Sequence, residues 1–286
     1  MLSKAIVPAA GLGTRLLPAT KEQPKEMLPI FTLGSDNQSQ LKPLLQLIFE
    51  QLYDLGIRRF CFIIGRGKRA IEDHFTQDYG FTSTLRNRNK FSSVRGLEQF
   101  YRRLDDSTIV WLNQPEPKGF GDAVLRGRSF IGEDQFLTHA GDTYVVSDGG
   151  LHLKRLIEAH TRLQSEATFL VEEVEDPREY GVIKGKAIET GLYKVRGIEE
   201  KPERPPSKLA VVPIYAFTSR IFEELAKTKP GKAGEIQLTD AIQSLVKHQG
   251  KVYAVQLKRS ELKIDIGSPE TYWQALKESY KRILTK

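Results

Sequence analysis

Short apolar runs alternate with longer amphipathic stretches over residues 5–174, and this alternation restricts the fold more than any other feature. The runs at 5–10, 60–64 and 108–112 are typical of buried strands, because they are short, apolar and rich in β-branched or aromatic residues. Between the first two, residues 44–56 place their leucines on one helical face and end at Gly56, a residue typical of helix C-termini. The pattern predicts an α/β fold with a Rossmann-like, mixed, mainly parallel sheet flanked by helices.

The pattern changes near residue 180, where strand-like pieces are separated by short glycine-containing turns. Such spacing predicts a β-hairpin meander attached to the main sheet. We interpret residues 1–286 as a single domain with a small accessory β element at about 180–207. The other predicted elements are strands at 135–146 (interrupted by Gly141-Asp142), 167–174, 208–217 and 251–257, and helices at 152–163, 219–227, 235–248 and 268–286, the last with Ser268 as its N-cap.

Composition narrows the class of protein. The sequence has no long apolar run of membrane-spanning length, and it has one cysteine, Cys61, so neither a disulfide framework nor a zinc cluster is expected. We therefore expect a cytoplasmic protein without a membrane partner. The formal net charge of +7 suits phosphorylated small molecules as well as nucleic acid. The densest basic stretch, residues 85–104, is more typical of a solvated helix face or a subunit contact than of a nucleic-acid surface.

A glycine loop follows the first predicted strand, at residues 11–15. Gly11 and Gly13 allow backbone N–H groups to approach an anion, Thr14 adds a hydroxyl donor, and Arg15 adds a guanidinium suited to phosphate oxygens. Prolines at 18 and 24 disfavour a regular helix after the loop, so a constrained segment carries Lys25 near the same mouth. In open α/β sheets, ligands bind at this edge, outside the carboxyl ends of the strands.

The loop does not match the common nucleotide motifs. Leu16 stands where a dinucleotide-binding loop has its third glycine, no acidic residue ends the second strand, and no G-K-[ST] sequence forms a P-loop. A nucleoside triphosphate bound without a P-loop fits the residues better.

The segment from Gly11 to Pro29 resembles the signature of the sugar-nucleotide pyrophosphorylases, and is closest to their branch of prokaryotic UTP–glucose-1-phosphate uridylyltransferases. The resemblance continues, in order, through nearly the whole chain. It implies a nucleotidyltransferase fold of the glycosyltransferase-A-like type. The further matching segments are NQPEPKGFGDAV (113–124), HAGDTYV (139–145), EYGVI (179–183), IEEKP (198–202), GEIQLTDAI (234–242) and IDIG (264–267).

The resemblance implies a role for each matching position. Asp142 and Asp265 each follow a strand-like segment, and two carboxylates at one sheet edge can hold Mg²⁺ together with substrate phosphates. Lys201 precedes Pro202, which biases its backbone to an extended form and lets its side chain project across the cleft. The implied catalytic residues are Arg15, Lys25 and Lys201; the nucleotide-binding residues are Ala10, Gly11, Gly13, Thr14, Gln114, Gly119 and Gly121; the sugar-phosphate-binding residues are Gly181, Glu200 and Lys201.

The implied reaction is attack by a phosphate oxygen of glucose 1-phosphate on the α-phosphorus of UTP, giving UDP-glucose and pyrophosphate. The nucleophile is already largely dianionic near neutral pH, so no general base is needed, and the five histidines lie outside the motifs. Three alternatives stay open. They are a dTTP-using thymidylyltransferase of the same family, a non-catalytic nucleotide sensor on the same fold, and a nucleic-acid-binding protein that uses residues 85–104.

One departure from the family pattern is the polar stretch at 32–40, which makes the link after Pro29 longer than usual. We interpret it as a surface loop, either inert or in contact with another subunit. The chain is expected to form a homo-oligomer, a dimer or tetramer, as its look-alikes commonly do.

Overall fold

The computed structural model describes residues 2–34, 37–231 and 234–284. Its strands are β1 (Lys4–Ala9), β2 (Pro29–Leu33), β3 (Ser39–Pro43), β4 (Arg59–Ile64), β5 (Thr108–Asn113), β6 (Phe136–His139), β7 (Thr143–Val146), β8 (Ala167–Glu173), β9 (Gly181–Glu189), β10 (Leu192–Glu200), β11 (Leu209–Phe217), β12 (Val252–Gln256) and β13 (Leu262–Asp265). Its α-helices are α1 (Leu44–Asp54), α2 (Arg69–His74), α3 (Tyr79–Asn87), α4 (Phe91–Asp105), α5 (Phe120–Arg126), α6 (Arg128–Ile131), α7 (Leu151–Arg162), α8 (Ile221–Lys227), α9 (Leu238–Lys247) and α10 (Pro269–Leu284).

A nine-stranded mixed sheet organises the fold, in the order β5-β4-β1-β6-β11-β8-β12-β10-β9. Strands β5, β4, β1 and β6 are mutually parallel, and β8, β12 and β9 run in the same direction. Only β11 and β10 oppose them among the strands of this sheet. The expected mixed, mainly parallel sheet is confirmed.

Helices cover both faces of the sheet. Successive side chains of a strand point to opposite faces, and in the central strands both sets are apolar and buried. On β1, Ala5, Val7 and Ala9 pack with α1, α4 and α7, whereas Ile6 packs on the other face with α5, α8 and α9. Every residue of β1 is buried. The strand therefore lies at the centre of a three-layer structure, and its carboxyl end delivers the glycine loop to the edge of the sheet.

The expected strand at 135–146 is in fact two strands. Strand β6 belongs to the main sheet, but β7 leaves it and pairs with β13, which the sequence analysis missed. The chain turns at Gly141, whose N–H donates to the Pro8 carbonyl at 2.9 Å. A Cβ at Gly141 would lie 2.9 Å from that carbonyl oxygen, so only glycine permits this close approach. The turn places Asp142 at the edge where β1 ends.

The interpretation of residues 32–40 as a loop is wrong for residues 32–33 and 39–40, which belong to strands, whereas residues 34, 37 and 38 lie outside the strands as expected. Strands β2 and β3 form an antiparallel hairpin, and residues 35–36 at its tip lie outside the described residues. The hairpin packs on α10, where the Phe31 N–H donates to Ser279 Oγ at 3.2 Å and the Phe31 and Tyr280 rings lie 4.9 Å apart. This tertiary contact stabilises the hairpin, whose second strand, SQLKP, is mostly polar. We expect removal of residues 34–39 to leave turnover within a few-fold of the wild type.

The predicted meander near residue 180 is the antiparallel hairpin β9–β10, which forms one edge of the main sheet. Ser268 caps α10 as expected, since its Oγ accepts from the Thr271 N–H at 3.3 Å. The basic stretch at 85–104 spans the end of α3 and most of α4. Across the described residues, the helices lack the length and apolar character needed to cross a bilayer.

Three buried histidines, His139, His152 and His160, predict acid sensitivity of the fold. Burial lowers the pKa of His139 to about 4, of His152 to about 3 and of His160 to about 4. Below the ordinary histidine pKa of about 6.5, these histidines bind protons in the unfolded chain but stay neutral in the folded chain. The free energy of unfolding therefore falls as pH falls. Between pH 7.5 and 5.5 we expect a loss of roughly 1 kcal/mol for each histidine, measured by urea unfolding. The variant His160→Gln should show about two-thirds of this dependence. An unchanged dependence in that variant would contradict the assignment.

Candidate active site

Two adjoining cavities open at the carboxyl ends of the central strands. The larger has a volume of about 400 Å³ and the smaller about 260 Å³. Asp142 and Phe120 line both, so the two cavities meet at these side chains. Of the residues predicted from the sequence, the larger cavity contains Ala10, Gly11, Gly13, Thr14, Arg15, Lys25, Gln114, Gly119 and Asp142, and the smaller contains Asp142, Gly181, Glu200 and Asp265.

The glycine loop forms one wall of the larger cavity. Gly13 has φ = 66°, in the left-handed region that glycine tolerates, and its carbonyl accepts from Thr20 Oγ1 at 2.8 Å. The segment after the loop forms short 3-10 turns at Thr14–Leu16 and Lys25–Met27 in place of a regular helix, as expected from the prolines at 18 and 24. This path folds the segment back so that the Lys25 side chain lies close to Gly11, where a Cβ would be 3.6 Å from Lys25 Cε.

Lys25 and Asp142 form an ion pair between the loop and the end of β6. Lys25 Nζ lies 2.5 Å from Asp142 Oδ2, with side chains 13% and 28% exposed respectively. Burial lowers the pKa of Lys25, but the charge and hydrogen bond of Asp142, together with the nearby Glu26 and Asp265 carboxylates, raise the net pKa. Burial raises the pKa of Asp142, but the charge and hydrogen bond of Lys25, with smaller contributions from a backbone hydrogen bond and Lys68, lower the net pKa. Both groups are therefore charged at neutral pH, which leaves a cation and an anion facing the same space.

Asp265 lies beside Asp142 because β13 pairs with β7. Asp265 is opposite Thr143 in the register, and the Ile266 N–H donates to the Asp142 carbonyl at 3.0 Å. Burial raises the pKa of Asp265, and the nearby Asp142 carboxylate raises it further. Over the described residues, no group of three or more His, Cys, Asp or Glu side chains forms a closed metal cage. Two carboxylates with open coordination suit Mg²⁺, which completes its shell with water and substrate phosphates.

Gln114 follows β5 and is only 5% exposed, although its side chain lines the larger cavity. Gly119 has φ = 99°, and a Cβ there would lie 2.7 Å from the Ile236 carbonyl oxygen. The Gly121 N–H donates to the same oxygen at 2.9 Å, and Gly121 does not line the cavity. The two glycines thus allow the segment before α9 to pack closely. The Gly121 N–H is therefore engaged within the protein, and the nucleotide-binding role of Gly121 stays a prediction.

The smaller cavity contains Gly181 and Glu200, which pair across the end of the β9–β10 hairpin. Glu200 Oε2 accepts from Thr239 Oγ1 at 2.9 Å, and burial raises the pKa of Glu200. A Cβ at Gly181 would lie 2.8 Å from Thr239 Cγ2. Glycine at 181 is therefore required by the packing of α9.

Lys201 differs from its expectation in two ways. Its φ is 43°, so the extended backbone inferred from the following proline is wrong. The Lys201 N–H donates to the Tyr180 carbonyl at 3.0 Å, one step beyond the last hairpin pair, and this bond turns the chain. The side chain is exposed and does not line either cavity. Its assigned contact with a sugar phosphate stays a prediction.

The family of the chain follows from comparison with known proteins. The model of the nucleotidyl transferase family matches residues 4–282. The chain belongs to the nucleotidyl transferase family. It is 36% identical over 288 residues to the UTP–glucose-1-phosphate uridylyltransferase of Pseudomonas aeruginosa, a match that covers 99% of this chain and 98% of that protein. The resemblance inferred from the motifs is confirmed.

Solved structures place this nucleotidyl transferase among enzymes of the same architecture. A UDP-glucose pyrophosphorylase in complex with UDP-glucose matches with a TM-score of 0.84 and 36% identity, covering 99% of this chain and 100% of that one. A UTP-bound UGPase from Acinetobacter baumannii matches with a TM-score of 0.83 and 29% identity, covering 100% and 99% of the two chains.

Several residues that line the cavities of this nucleotidyl transferase were not expected from the sequence, and Lys263, Gly267 and Glu26 are three of them. Lys263 lines the smaller cavity, forms an ion pair with Glu172 and lies 4.7 Å from the centre of the Tyr180 ring. It precedes Asp265 by two residues on a strand, a spacing that places both side chains on one face. Gly267 lines the larger cavity, and a Cβ there would lie 2.7 Å from Asp265 Oδ2. Glu26 lines it too, and is paired with Lys68 from the loop after β4.

The Glu26–Lys68 pair predicts a large stability effect. Lys68 Nζ lies 2.8 Å from Glu26 Oε2, and the side chains are 8% and 2% exposed. Burial raises the pKa of Glu26, and the Lys68 charge opposes this rise. Lys68→Met leaves a buried carboxylate without its partner, so the free energy of unfolding should fall by roughly 3–5 kcal/mol. Urea unfolding at pH 7.5 measures the change.

The neighbouring Arg69→Met is the matched control, since Arg69 is 87% exposed and lies 3.9 Å from Asp73. It should change the free energy of unfolding little. The double variant Glu26→Leu with Lys68→Met should regain most of the loss, because no buried charge is left. Equal stability of Lys68→Met and Arg69→Met would show that the buried pair contributes nothing.

Proposed function

We propose that this enzyme forms UDP-glucose and pyrophosphate from UTP and glucose 1-phosphate. The observation that carries the proposal is the pair of cavities that meet at Asp142. One has the glycine loop, Arg15 and Lys25 for a triphosphate; the other has Glu200 as an acceptor for sugar hydroxyls. Two substrates bound in them would bring their phosphates together at their junction.

The names of its relatives support these substrates. The similar enzyme from Pseudomonas aeruginosa is a UTP–glucose-1-phosphate uridylyltransferase. One similar structure contains UDP-glucose and another contains UTP. The two ligands are a proposed product and a proposed substrate of the same reaction.

In the proposed reaction, a phosphate oxygen of glucose 1-phosphate attacks the α-phosphorus of UTP in line. The bond to the β-phosphate breaks, and its electron pair leaves with pyrophosphate. Arg15 and Lys25 neutralise the triphosphate and the departing charge. In the part of the chain that the structure describes, no histidine lines either cavity, which agrees with a nucleophile that is already ionised.

Asp142 and Asp265 would hold Mg²⁺ in this proposal. Bound there, the ion would supply electrostatic stabilisation of charge on the phosphate oxygens. We further propose that the accessory β segment at about 180–207 binds the sugar phosphate, through Gly181 and Glu200 in the smaller cavity and through Lys201 at its mouth. A cytoplasmic location and a dimeric or tetrameric state remain predictions from the sequence.

Pyrophosphate release tests the proposal. The enzyme is incubated with Mg²⁺ and glucose 1-phosphate, and with UTP, dTTP, ATP, CTP or GTP in parallel reactions. We expect UTP to give the highest kcat/KM. Comparable turnover of dTTP would keep the reaction but broaden the substrate. If a folded sample releases no pyrophosphate with any triphosphate and any sugar phosphate tried, a nucleotide sensor becomes the better description.

A further inference from the structure

The carboxamide of Gln114 is held on its amide side by two acceptors. Gln114 Nε2 donates to the Gly119 carbonyl at 3.0 Å and to Asp122 Oδ2 at 2.7 Å. The amide group has two hydrogens, and both are therefore used. Neither acceptor has a hydrogen to offer, since Asp122 is a carboxylate and Gly119 contributes its carbonyl.

These contacts determine which way the carboxamide points. If its oxygen and nitrogen exchanged places, Gln114 Oε1 would face both a carboxylate and a carbonyl oxygen, with two hydrogen bonds lost. The orientation follows from the chemistry of the neighbours, not from the appearance of the amide. Oε1 accepts no hydrogen bond from the described residues, and it belongs to a side chain that lines the larger cavity.

Asp122 itself is well fixed. It lies in the first turn of α5, it is 9% exposed, and Arg126 Nε one helical turn later donates to Asp122 Oδ2 at 2.9 Å. Arg126 Nη1 also donates to the Asn113 carbonyl at 3.3 Å, next to Gln114 in the chain. The arginine thus holds the aspartate, and the aspartate holds the glutamine.

We propose that Asp122 is a positioning residue that sets nucleobase selectivity by presenting Gln114 Oε1 to the base as an acceptor. The inference rests on the proposed function, because it requires a pyrimidine nucleotide in the larger cavity. Uracil carries an N–H at position 3, which can donate to such an oxygen. Cytosine carries a lone pair at that position, which repels it. In the complex with CTP, Gln114 Oε1 would have no donor from the base. Leaving a buried polar group unpaired discriminates strongly between ligands.

Binding of nucleotides without turnover tests this inference. Dissociation constants for UTP and CTP are measured by calorimetry with Mg²⁺ and without sugar phosphate. We expect the wild-type protein to bind UTP more tightly than CTP. In Asp122→Ala the carboxamide loses the acceptor that fixes it, and the preference for UTP should fall about tenfold. A general disruption of the site would instead weaken the binding of both UTP and CTP and leave the ratio of their dissociation constants unchanged.

Two further variants sharpen the result. Arg126→Gln removes the guanidinium that holds Asp122 but keeps the contact between Asp122 and Gln114, so its preference for UTP should fall less than that of Asp122→Ala. Asp122→Asn retains an acceptor oxygen, so its preference for UTP over CTP should lie between those of the wild type and Asp122→Ala. This variant provides the test if Asp122→Ala does not fold. An unchanged ratio in the folded Asp122 variants, or equal affinities of the wild type for UTP and CTP, would overturn the inference. If the Asp122 variants lose the preference for UTP but the wild-type protein makes no UDP-glucose, the proposed function is rejected and this inference stands.

Discussion

Replacing Lys25 with alanine is expected to lower kcat at least about a hundredfold with no loss of the fold. Lys25 is a half-buried cation in the larger cavity and lies 2.5 Å from Asp142, the residue at which the two cavities meet. Its charge would balance that of the triphosphate, and more so as charge accumulates on the departing pyrophosphate. The effect should therefore appear chiefly in kcat, with a smaller change in the KM for UTP. Steady-state pyrophosphate release measures both constants.

Lys21→Ala is the matched control for this prediction. Lys21 lies on the same constrained segment, but its side chain is 77% exposed and lies 3.6 Å from Glu22. Its turnover should stay within about twofold of the wild type. Asp142 remains 28% exposed and can be solvated when Lys25 is absent, so the melting temperature of Lys25→Ala should change modestly. Near-normal turnover of Lys25→Ala would show that the lysine has been assigned the wrong role.

Asp142→Asn is expected to reduce kcat by about a hundredfold to a thousandfold and to weaken the dependence of rate on Mg²⁺. The change keeps the size of the side chain but removes the charge from Asp142, which among the described residues is the one titratable group that lines both cavities. A neutral amide is a poorer ligand for a hard cation than a carboxylate. Rates are measured as Mg²⁺ is increased from zero in the presence of a fixed concentration of both substrates.

Asp73→Asn is the control, because Asp73 is 71% exposed and lies outside both cavities. Its apparent affinity for Mg²⁺ should equal that of the wild type. Asp265→Asn should show a weaker form of the Asp142→Asn result, since Asp265 lines only the smaller cavity. If Asp142→Asn and Asp73→Asn respond to Mg²⁺ alike, Asp142 does not bind the metal.

The buried strands could be predicted because their apolar runs carry the signal locally. Residues 60–64 are buried within β4, as expected. Residues 108–112 lie within β5, which is a strand as expected, but it forms the edge of the sheet and its side chains are at most half-buried. Strands β2 and β3 could not be found in this way, because β3 is short and mostly polar and the hairpin is stabilised by the distant helix α10. Strand β13 has four residues, and its partner β7 lies more than a hundred positions earlier. Pairing over that separation leaves no local pattern.

The site follows a similar division. The glycine loop, Lys25 and Asp142 were predicted from motifs and meet in one cavity. The Glu26–Lys68 pair joins two separate segments, and nothing in either segment identifies the other. The motifs assign no role to Asp122, and only its contact with Gln114 reveals one. The expectation of an extended backbone at Lys201 was wrong for a related reason. A hydrogen bond from the Lys201 N–H to the Tyr180 carbonyl overrides the local preference of a residue before proline.

Transfer of an isotopic label tests the central claim most directly. UTP labelled in its α-phosphate is incubated with the enzyme, Mg²⁺ and unlabelled glucose 1-phosphate, and the products are separated. We predict that all transferred label appears in UDP-glucose and none in pyrophosphate, because the sugar phosphate attacks the α-phosphorus. Label recovered as UDP with release of inorganic phosphate, and no sugar nucleotide formed, would contradict the account.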